Sequence, residues 1–222
     1  PRVRAMWLPI EQARIVETWS TLGMRGTGSE DFAIDDVFVP TERTCFLGEP
    51  PVETGPLYRP RMLLTFLWTG TVGNALGIAR GAIDTFIELA ENEASTGSPA
   101  LLRDRPAVQS RLAEAEAILN AARAYVVSAV GTAWDAIASD EPDPTRKIAQ
   151  ARLAITHAMH EAVRVVDMVF HAAGTNAIHT RNPLERHFRD IHVAVQHNSA
   201  FRSHYEGAGK VLLGLKPADP GW

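Results

Sequence analysis

A long apolar stripe in the second half of the chain constrains the fold most. Apolar side chains recur there in steps of four and three residues, at Val108, Leu112, Ala115, Leu119, Ala122, Val126, Ala129, Ala133 and Ala136. This spacing places them on one face of an α-helix. A single helix cannot bury so long a stripe, so the pattern predicts further helices packed parallel or antiparallel to it.

The flanking segments supply those partner helices. A second stripe follows the cap signal Asp143-Pro144 and consists of Ile148, Ile155, Ala158, Ala162, Val166 and Val169. Two more helices are predicted over about 61–93 and 191–214. Antiparallel neighbours would be joined by loops at 94–104, 140–143 and 174–190. The chain from residue 61 to residue 216 is therefore predicted to form a four-helix bundle.

Three glycines at positions 73, 77 and 81 recur every four residues within the helix predicted at 61–93. A glycine carries no Cβ and lets two helix axes approach closely. The spacing therefore predicts a close crossing between this helix and another.

The first 48 residues have the pattern of β-structure instead. Runs typical of strands at 14–19 and 32–39 flank a glycine-rich stretch from Gly23 to Gly28. Because prolines and glycines are concentrated at 49–60, that segment is predicted to be a linker. We predict a mainly α chain with a partial β domain at 1–48, a linker at 49–60, a helical bundle at 61–216 and a tail at 217–222. The first residue is not Met and no signal-peptide pattern follows it, so we expect a piece of a longer chain.

The composition argues against several partners and locations. The net charge of −4 provides no basic surface suited to nucleic acid or an anionic membrane. The apolar run at 62–79 contains Asn74 and is followed by Arg80, which favours a buried helix over a membrane span. A single cysteine cannot form an internal disulfide, which favours a cytoplasmic protein.

Two kinds of catalytic site are not supported by residue spacing. His157 and His160 stand three residues apart and Glu161 follows, but the arrangement of a zinc hydrolase is missing, so no metal site is predicted. Ser29 follows glycines without the order of a nucleophile elbow and without a helix behind it. The glycines before Ser29 are better explained as turn formers.

Two segments do resemble a known family. Residues 19–29 (WSTLGMRGTGS), followed by 32–40 (FAIDDVFVP), resemble the late β-domain signature of acyl-CoA dehydrogenase-like flavoproteins. Residues 170–175 (FHAAGT) and 184–190 (LERHFRD) resemble the loop and arginine–aspartate pair that precede the last long helix of that superfamily. The resemblance covers nearly the whole chain. It implies the C-terminal part of an acyl-CoA dehydrogenase-like fold, with the N-terminal helical domain absent.

Two chemistries compete within that superfamily. In the dehydrogenases a carboxylate removes an α proton from an acyl-CoA and FAD accepts a hydride. In the two-component monooxygenases, reduced flavin from a separate reductase reacts with O₂ to hydroxylate an aromatic or polycyclic substrate. At the spacing expected of the dehydrogenase base this chain has His197 and Asn198, whereas the glutamate of Tyr205-Glu206-Gly207 lies sixteen residues after Asp190 instead of eight. The resemblance thus favours the monooxygenase branch, with His197 as the catalytic residue or else a structural histidine, and Glu206 on the solvent side.

The resemblance also suggests cofactor contacts. The segment carrying Trp19, Arg25, Thr27 and Ser29 would lie near the flavin, unless these residues only form a β turn. Phosphate contacts would come from Gln109, Gly174, Thr175 and Asn176, although Gly174 is equally explained as a helix C-cap. Ser98 replaces the family's pyrophosphate-binding arginine, which favours FMN or loosely held reduced FAD over permanently bound FAD.

The resemblance further implies a homotetramer, in which Arg189 and Asp190 would pair with each other or across an interface. Two alternatives to the monooxygenase remain open at this stage. One is an acyl-CoA dehydrogenase that desaturates an acyl-CoA with FAD, and the other is a non-catalytic helical oligomerisation fragment.

Overall fold

The computed structural model describes residues 3–46, 49–59, 62–94, 97 and 99–216, without the side chains of residues 63–65. Five α-helices dominate these residues: α1 Met62–Asn92, α2 Pro106–Ala138, α3 Thr145–Ala173, α4 Pro183–Ala194 and α5 Ser203–Leu212. The mainly α fold class is confirmed. The proposed domain boundaries at 48 and 60–61 and the tail at 217–222 lie outside the described residues, so the domain division stays a prediction.

The two predicted stripes face each other across the bundle. Every predicted stripe residue of α2 except the half-buried Leu112 is buried, and the six of α3 are all buried. Helix α3 lies at the centre and contacts α1, α2, α4 and α5. Each fully buried Val, Leu or Ile side chain contributes about 1.5–3 kcal/mol, so the stripes provide the main stabilisation of the bundle.

The fourth predicted helix is the main error of the sequence interpretation. The structure has two shorter helices, α4 and α5, with a break at 195–202, and α4 occupies much of the segment predicted as a loop. Side chains from neighbouring helices satisfy carbonyls in this break. Thr156 donates to the Ser199 carbonyl oxygen at 2.8 Å, and ring nitrogens of His160 and His204 bond to the carbonyls of Ala200 and Asn198. These tertiary contacts replace the hydrogen bonds that a continuous helix would make.

The predicted glycine crossing is found at only one of the three positions. A Cβ at Gly81 would lie 2.9 Å from the His187 ring of α4, so α1 and α4 do approach closely there. A Cβ at Gly73 or Gly77 would meet nothing within 4 Å. Because α4 crosses α1 at a single point, only the glycine at that point is needed for close approach.

His187, wedged against Gly81, should make stability depend on pH. Burial, assisted by the Arg186 cation and opposed by the Asp190 carboxylate, lowers the pKa of His187 below its ordinary value of 6.5. As pH falls through 6.5, the unfolded chain binds a proton that the folded chain does not, so the free energy of unfolding decreases. Above 6.5 both states are neutral and the effect vanishes.

Thermal melts of the wild type and His187→Gln between pH 5 and 8 check this expectation, since both sequences share all other titrating groups. We expect the variant to lose less stability on acidification than the wild type. Equal losses in the two proteins would contradict the assignment to His187.

The N-terminal part contains two short antiparallel pairs. Strand β1 (Arg4–Met6) pairs with β4 (Thr44–Phe46), and β2 (Arg14–Val16) pairs with β3 (Asp31–Ala33). The strand predicted at 32–39 is thus much shorter than expected. Asp36 has φ 50°, a left-handed conformation that an extended strand cannot accommodate.

Helix α1 is packed into the bundle through buried Val72, Ala79 and Phe86. Among the described residues, no helix combines the length and apolar character needed to cross a membrane. Of the described side chains in the apolar run at 62–79, those of Met62, Val72, Ala75 and Ala79 are buried in the core.

Candidate active site

The loop between β2 and β3 docks directly onto α4. A Cβ added at Gly23 would lie 2.3 Å from the Arg189 carbonyl oxygen, so only glycine allows this approach. The Met24 backbone N–H donates to Asp190 Oδ1 at 2.6 Å, and Arg189 donates to the Leu22 carbonyl at 2.7 Å. The two segments that carry the family resemblance are therefore joined to each other, although 166 residues separate Met24 from Asp190.

Arg189 and Asp190 do not pair with each other, contrary to one of the two expectations for them. Arg189 instead forms a two-pronged ion pair with Glu185, one turn earlier on α4. The hydrogen bond from Arg189 lowers the pKa of Glu185 and raises that of Arg189 itself. This ion pair fixes the Arg189 guanidinium in place. Its remaining nitrogen, Nη1, donates to the Leu22 carbonyl of the docked loop.

Internal hydrogen bonds shape the docked loop. The Glu30 carboxylate accepts the backbone N–H groups of Thr18 and Trp19. The Trp19 indole N–H donates to the Met24 carbonyl at 3.0 Å, while Met24 itself adopts a left-handed conformation with φ 53°. These contacts hold the indole ring beside α1 and α4.

A cavity of about 440 Å³ lies between this loop, α1 and the end of α4. Its lining residues are Trp19, Met24, Thr27, Ser29, Thr71, Asn74, Val193, Ala194, Gln196 and His197. The cavity thus brings together four residues that the family resemblance suggested for the site: Trp19, Thr27, Ser29 and His197. The lining combines apolar surface with a few polar groups, and the volume falls within the roughly 300–1,000 Å³ typical of small-molecule sites.

Six cavity residues were missed as site candidates: Met24, Thr71, Asn74, Val193, Ala194 and Gln196. Asn74 could have been selected from the sequence, because a lone polar amide within an apolar helical run requires hydrogen-bond partners. Nothing in the sequence distinguishes Met24 or Thr71, since a methionine in a loop and a threonine in a helix are ordinary.

His197 lies where the helix breaks. Its Nδ1 accepts the Ser199 backbone N–H at 3.2 Å and lies 2.8 Å from Ser199 Oγ. Within the described part of the chain its Nε2 has no hydrogen-bond partner, which leaves that nitrogen available to the cavity. In a continuous helix over 191–214, His204 would lie seven residues after His197 on nearly the same face and could line the same cavity. In the structure His204 packs on the Trp68 ring instead and does not line the cavity.

A smaller recess of about 330 Å³ adjoins the cavity and shares Met24 and Thr27 with it. Three arginines line this recess: Arg25, Arg186 and Arg189. Arg25 is the predicted cofactor residue that lies here, with its Nε donating to the Thr21 carbonyl at 3.0 Å. The recess therefore places cationic side chains beside a largely apolar cavity.

The predicted phosphate contacts lie in another part of the bundle. Gln109 is exposed in the first turns of α2 and donates to the Arg103 carbonyl. Gly174 caps α3 with φ 61°, as the C-cap alternative expected. Thr175 and Asn176 follow in a 3-10 turn, and none of these residues lines the His197 cavity. Ser98 lies outside the described residues.

Glu206 is on the solvent side, as expected. It forms an ion pair with Lys210, its side chain is 68% exposed, and this pair lowers its pKa. His157 and His160 contact tyrosine rings, and the described residues contain no group of three His, Cys, Asp or Glu side chains able to hold a metal.

The chain is similar in sequence to two curated monooxygenases. The chain is 37% identical to indole-3-acetate monooxygenase of Pseudomonas putida over 97% of its own length and 55% of that protein. It is 34% identical to the protein of that name from Acinetobacter baumannii, over 100% of this chain and 56% of the relative. The chain thus spans about half the length of the curated relatives it matches.

A solved structure has the same fold over nearly the whole of this chain. XiaF from Streptomyces sp., in complex with FADH2 and glycerol, superposes with a TM-score of 0.87 at 25% identity, over 98% of this chain and 57% of XiaF. Residues 69–201, more than half of the chain, match the model of the acyl-CoA dehydrogenase C-terminal domain. The chain belongs to the acyl-CoA dehydrogenase C-terminal domain family.

Proposed function

We propose that the protein is the oxygenase component of a two-component, flavin-dependent monooxygenase acting on an aromatic substrate. The observation that carries the proposal is a histidine, not a carboxylate, on the cavity wall: His197 lines the cavity, whereas Glu206 lies outside it and pairs with Lys210. A dehydrogenase needs a carboxylate to remove an α proton, and the described lining contains no Asp or Glu.

The donor set of the cavity fits a flavin ring. The hydroxyls of Thr27 and Ser29 and the amides of Asn74 and Gln196 can bond the polar edge of an isoalloxazine, and Trp19 provides a flat apolar wall. Arg25 and Arg186 in the adjoining recess would suit its phosphate. This supports FMN or reduced FAD, and the FADH2 bound by XiaF is consistent with it.

A bound reduced flavin supplies the electrons that activate O₂, one atom of which enters the substrate while the other leaves as water. In this reaction His197 would hold or move a proton at Nε2, a task suited to an imidazole near neutral pH. Met24 and Val193 would bind the aromatic ring of the substrate and exclude water. The name of two relatives, indole-3-acetate monooxygenase, supports an indole bearing a short acidic side chain as substrate.

The proposal includes a separate flavin reductase, a homotetramer and a cytoplasmic location, which the single cysteine favours. Because Gln109 and Gly174–Asn176 lie away from the His197 cavity, they would contact the flavin of a neighbouring copy. The outer surface of α2, with Tyr125 and Val127 exposed, is available for such contacts.

Single-turnover oxidation of the full-length protein tests the proposal. The protein is loaded anaerobically with reduced FMN or FAD, mixed with indole-3-acetate or a simple phenol, and exposed to ¹⁸O₂. We expect a product that carries one ¹⁸O atom. Bleaching of oxidised flavin by an acyl-CoA without O₂ would establish the dehydrogenase instead, and no flavin binding at all would favour a non-catalytic oligomerisation role.

A further inference from the structure

A hydroxyl pair lies behind the ring of His197. Ser199 is fully buried, and its Oγ lies 2.8 Å from His197 Nδ1, 2.9 Å from Thr71 Oγ1 and 3.1 Å from Met159 Sδ. Thr71 Oγ1 donates to the Trp68 carbonyl at 2.8 Å. These bonds form a chain from the imidazole, through Ser199 and Thr71, to a backbone carbonyl of α1.

The proton of Thr71 is committed to that carbonyl, so Thr71 can only accept from Ser199. The Ser199 hydroxyl can then donate to Thr71, to the weaker acceptor Met159 Sδ or to His197 Nδ1. When it donates to Thr71, its lone pairs face His197 and can accept an Nδ1–H. The hydroxyl can donate to His197 only when Nδ1 carries no proton. The Ser199 backbone N–H, which also donates to Nδ1, favours that same state. Rotation of one hydroxyl therefore serves both states of Nδ1 while the ring stays still.

We propose that Ser199 and Thr71 are positioning residues that let His197 alternate between the Nδ1–H and Nε2–H forms. With Nδ1 protonated, a neutral ring presents a bare Nε2 that can accept a proton from the cavity. With Nδ1 bare, the ring presents Nε2–H, which can donate. The catalytic role of His197 rests on the proposed function. The hydrogen bonds among His197, Ser199 and Thr71 are independent of it.

The two hydroxyls make a directional prediction. Ser199→Ala removes the hydroxyl but keeps the backbone N–H that donates to Nδ1. Thr71→Val removes the acceptor, so the Ser199 hydroxyl must donate to His197 or to Met159. Ser199→Ala removes the acceptor of Nδ1–H, and Thr71→Val weakens it, because the hydroxyl can then accept Nδ1–H only while it donates to the poorer acceptor Met159 Sδ. Both changes should therefore shift the neutral ring toward the Nε2–H form. Thr71→Ser keeps the hydroxyl and should behave as the wild type does.

The test is ¹⁵N NMR of the histidine-labelled full-length protein, in which the two nitrogens of each tautomer have distinct chemical shifts. The His197 signal is assigned by its loss in His197→Asn. We expect Ser199→Ala and Thr71→Val to raise the Nε2–H fraction, and the double variant to add nothing further. An unchanged tautomer ratio in folded Ser199→Ala and Thr71→Val proteins would overturn the proposal.

Turnover gives a second readout. We expect either variant to lower kcat by about 10- to 100-fold, less than the roughly 10²–10⁴-fold contribution of a general acid or base, with KM nearly unchanged. Thr71→Ser should restore the rate. If the protein does not hydroxylate, the proposed function fails, but the tautomer ratio measured by NMR still tests the positioning role of Ser199 and Thr71. The two failures are therefore distinguishable. A rate loss without a tautomer shift would show that the hydroxyls act only structurally and would overturn it.

Discussion

Replacing His197 with alanine is expected to lower the hydroxylation rate by about 10²- to 10⁴-fold, the usual contribution of a general acid or base. The reason is geometric: His197 lines the cavity with Nδ1 held by Ser199, and its Nε2 has no partner within the described residues. Binding of reduced flavin should change little, because Trp19 and the loop hydroxyls remain. Rapid mixing of the reduced complex with O₂ separates these two quantities.

Alanine also removes the acceptor that caps the Ser199 N–H, so a second variant separates chemistry from folding. Asparagine can place an oxygen near the position of Nδ1 and keep the cap, yet it offers nothing at Nε2. We expect His197→Asn to melt near the wild-type temperature and still to lose the activity. A His197→Asn enzyme with wild-type turnover would exclude the histidine from the chemistry.

Glu206→Gln is the matched control for the competing chemistry. Its side chain is exposed and paired with Lys210, so the change should leave hydroxylation within about twofold of the wild type, as expected of a surface substitution worth less than about 0.5 kcal/mol. A complete loss of activity in Glu206→Gln would instead point to the carboxylate as the base of a dehydrogenase.

Gly23→Ala is expected to detach the docked loop from α4. The new Cβ would lie 2.3 Å from the Arg189 carbonyl oxygen and 2.7 Å from the Asp190 nitrogen, both backbone atoms that cannot rotate away. Overpacking typically costs about 1–3 kcal/mol and occasionally more, and a clash with backbone belongs at the upper end. Separation would break the bonds from Met24 to Asp190 and from Arg189 to Leu22.

Thermal unfolding, limited proteolysis within residues 18–29 and titration with reduced flavin measure this effect. We expect a lower melting temperature, faster cleavage and weaker flavin binding. Gly26→Ala provides the control, because a Cβ there would meet nothing within 4 Å and φ is not positive. Equal behaviour of the two variants would mean that close docking of the loop does not hold the cavity together.

The sequence by itself determined the bundle. The apolar stripes of α2 and α3 could be read without a structure because helix periodicity is a local property, and burial follows from it. The resemblance placed Trp19, Thr27, Ser29 and His197 in one family pattern, but it could not say which of its suggested contacts share a cavity.

Only the tertiary structure decided the details of the site. No proline or glycine stops a helix at 195–202. The break exists because Thr156 and His160 of α3 and His204 of α5 bond the carbonyls that it leaves open. Arg189 and Asp190 are adjacent in sequence yet do not bond to each other. In the docked loop, Arg189 donates to the Leu22 carbonyl and Asp190 accepts the Met24 N–H. Hydrogen bonds between distant segments leave no periodic signal, so their geometry is fixed only when the chain folds.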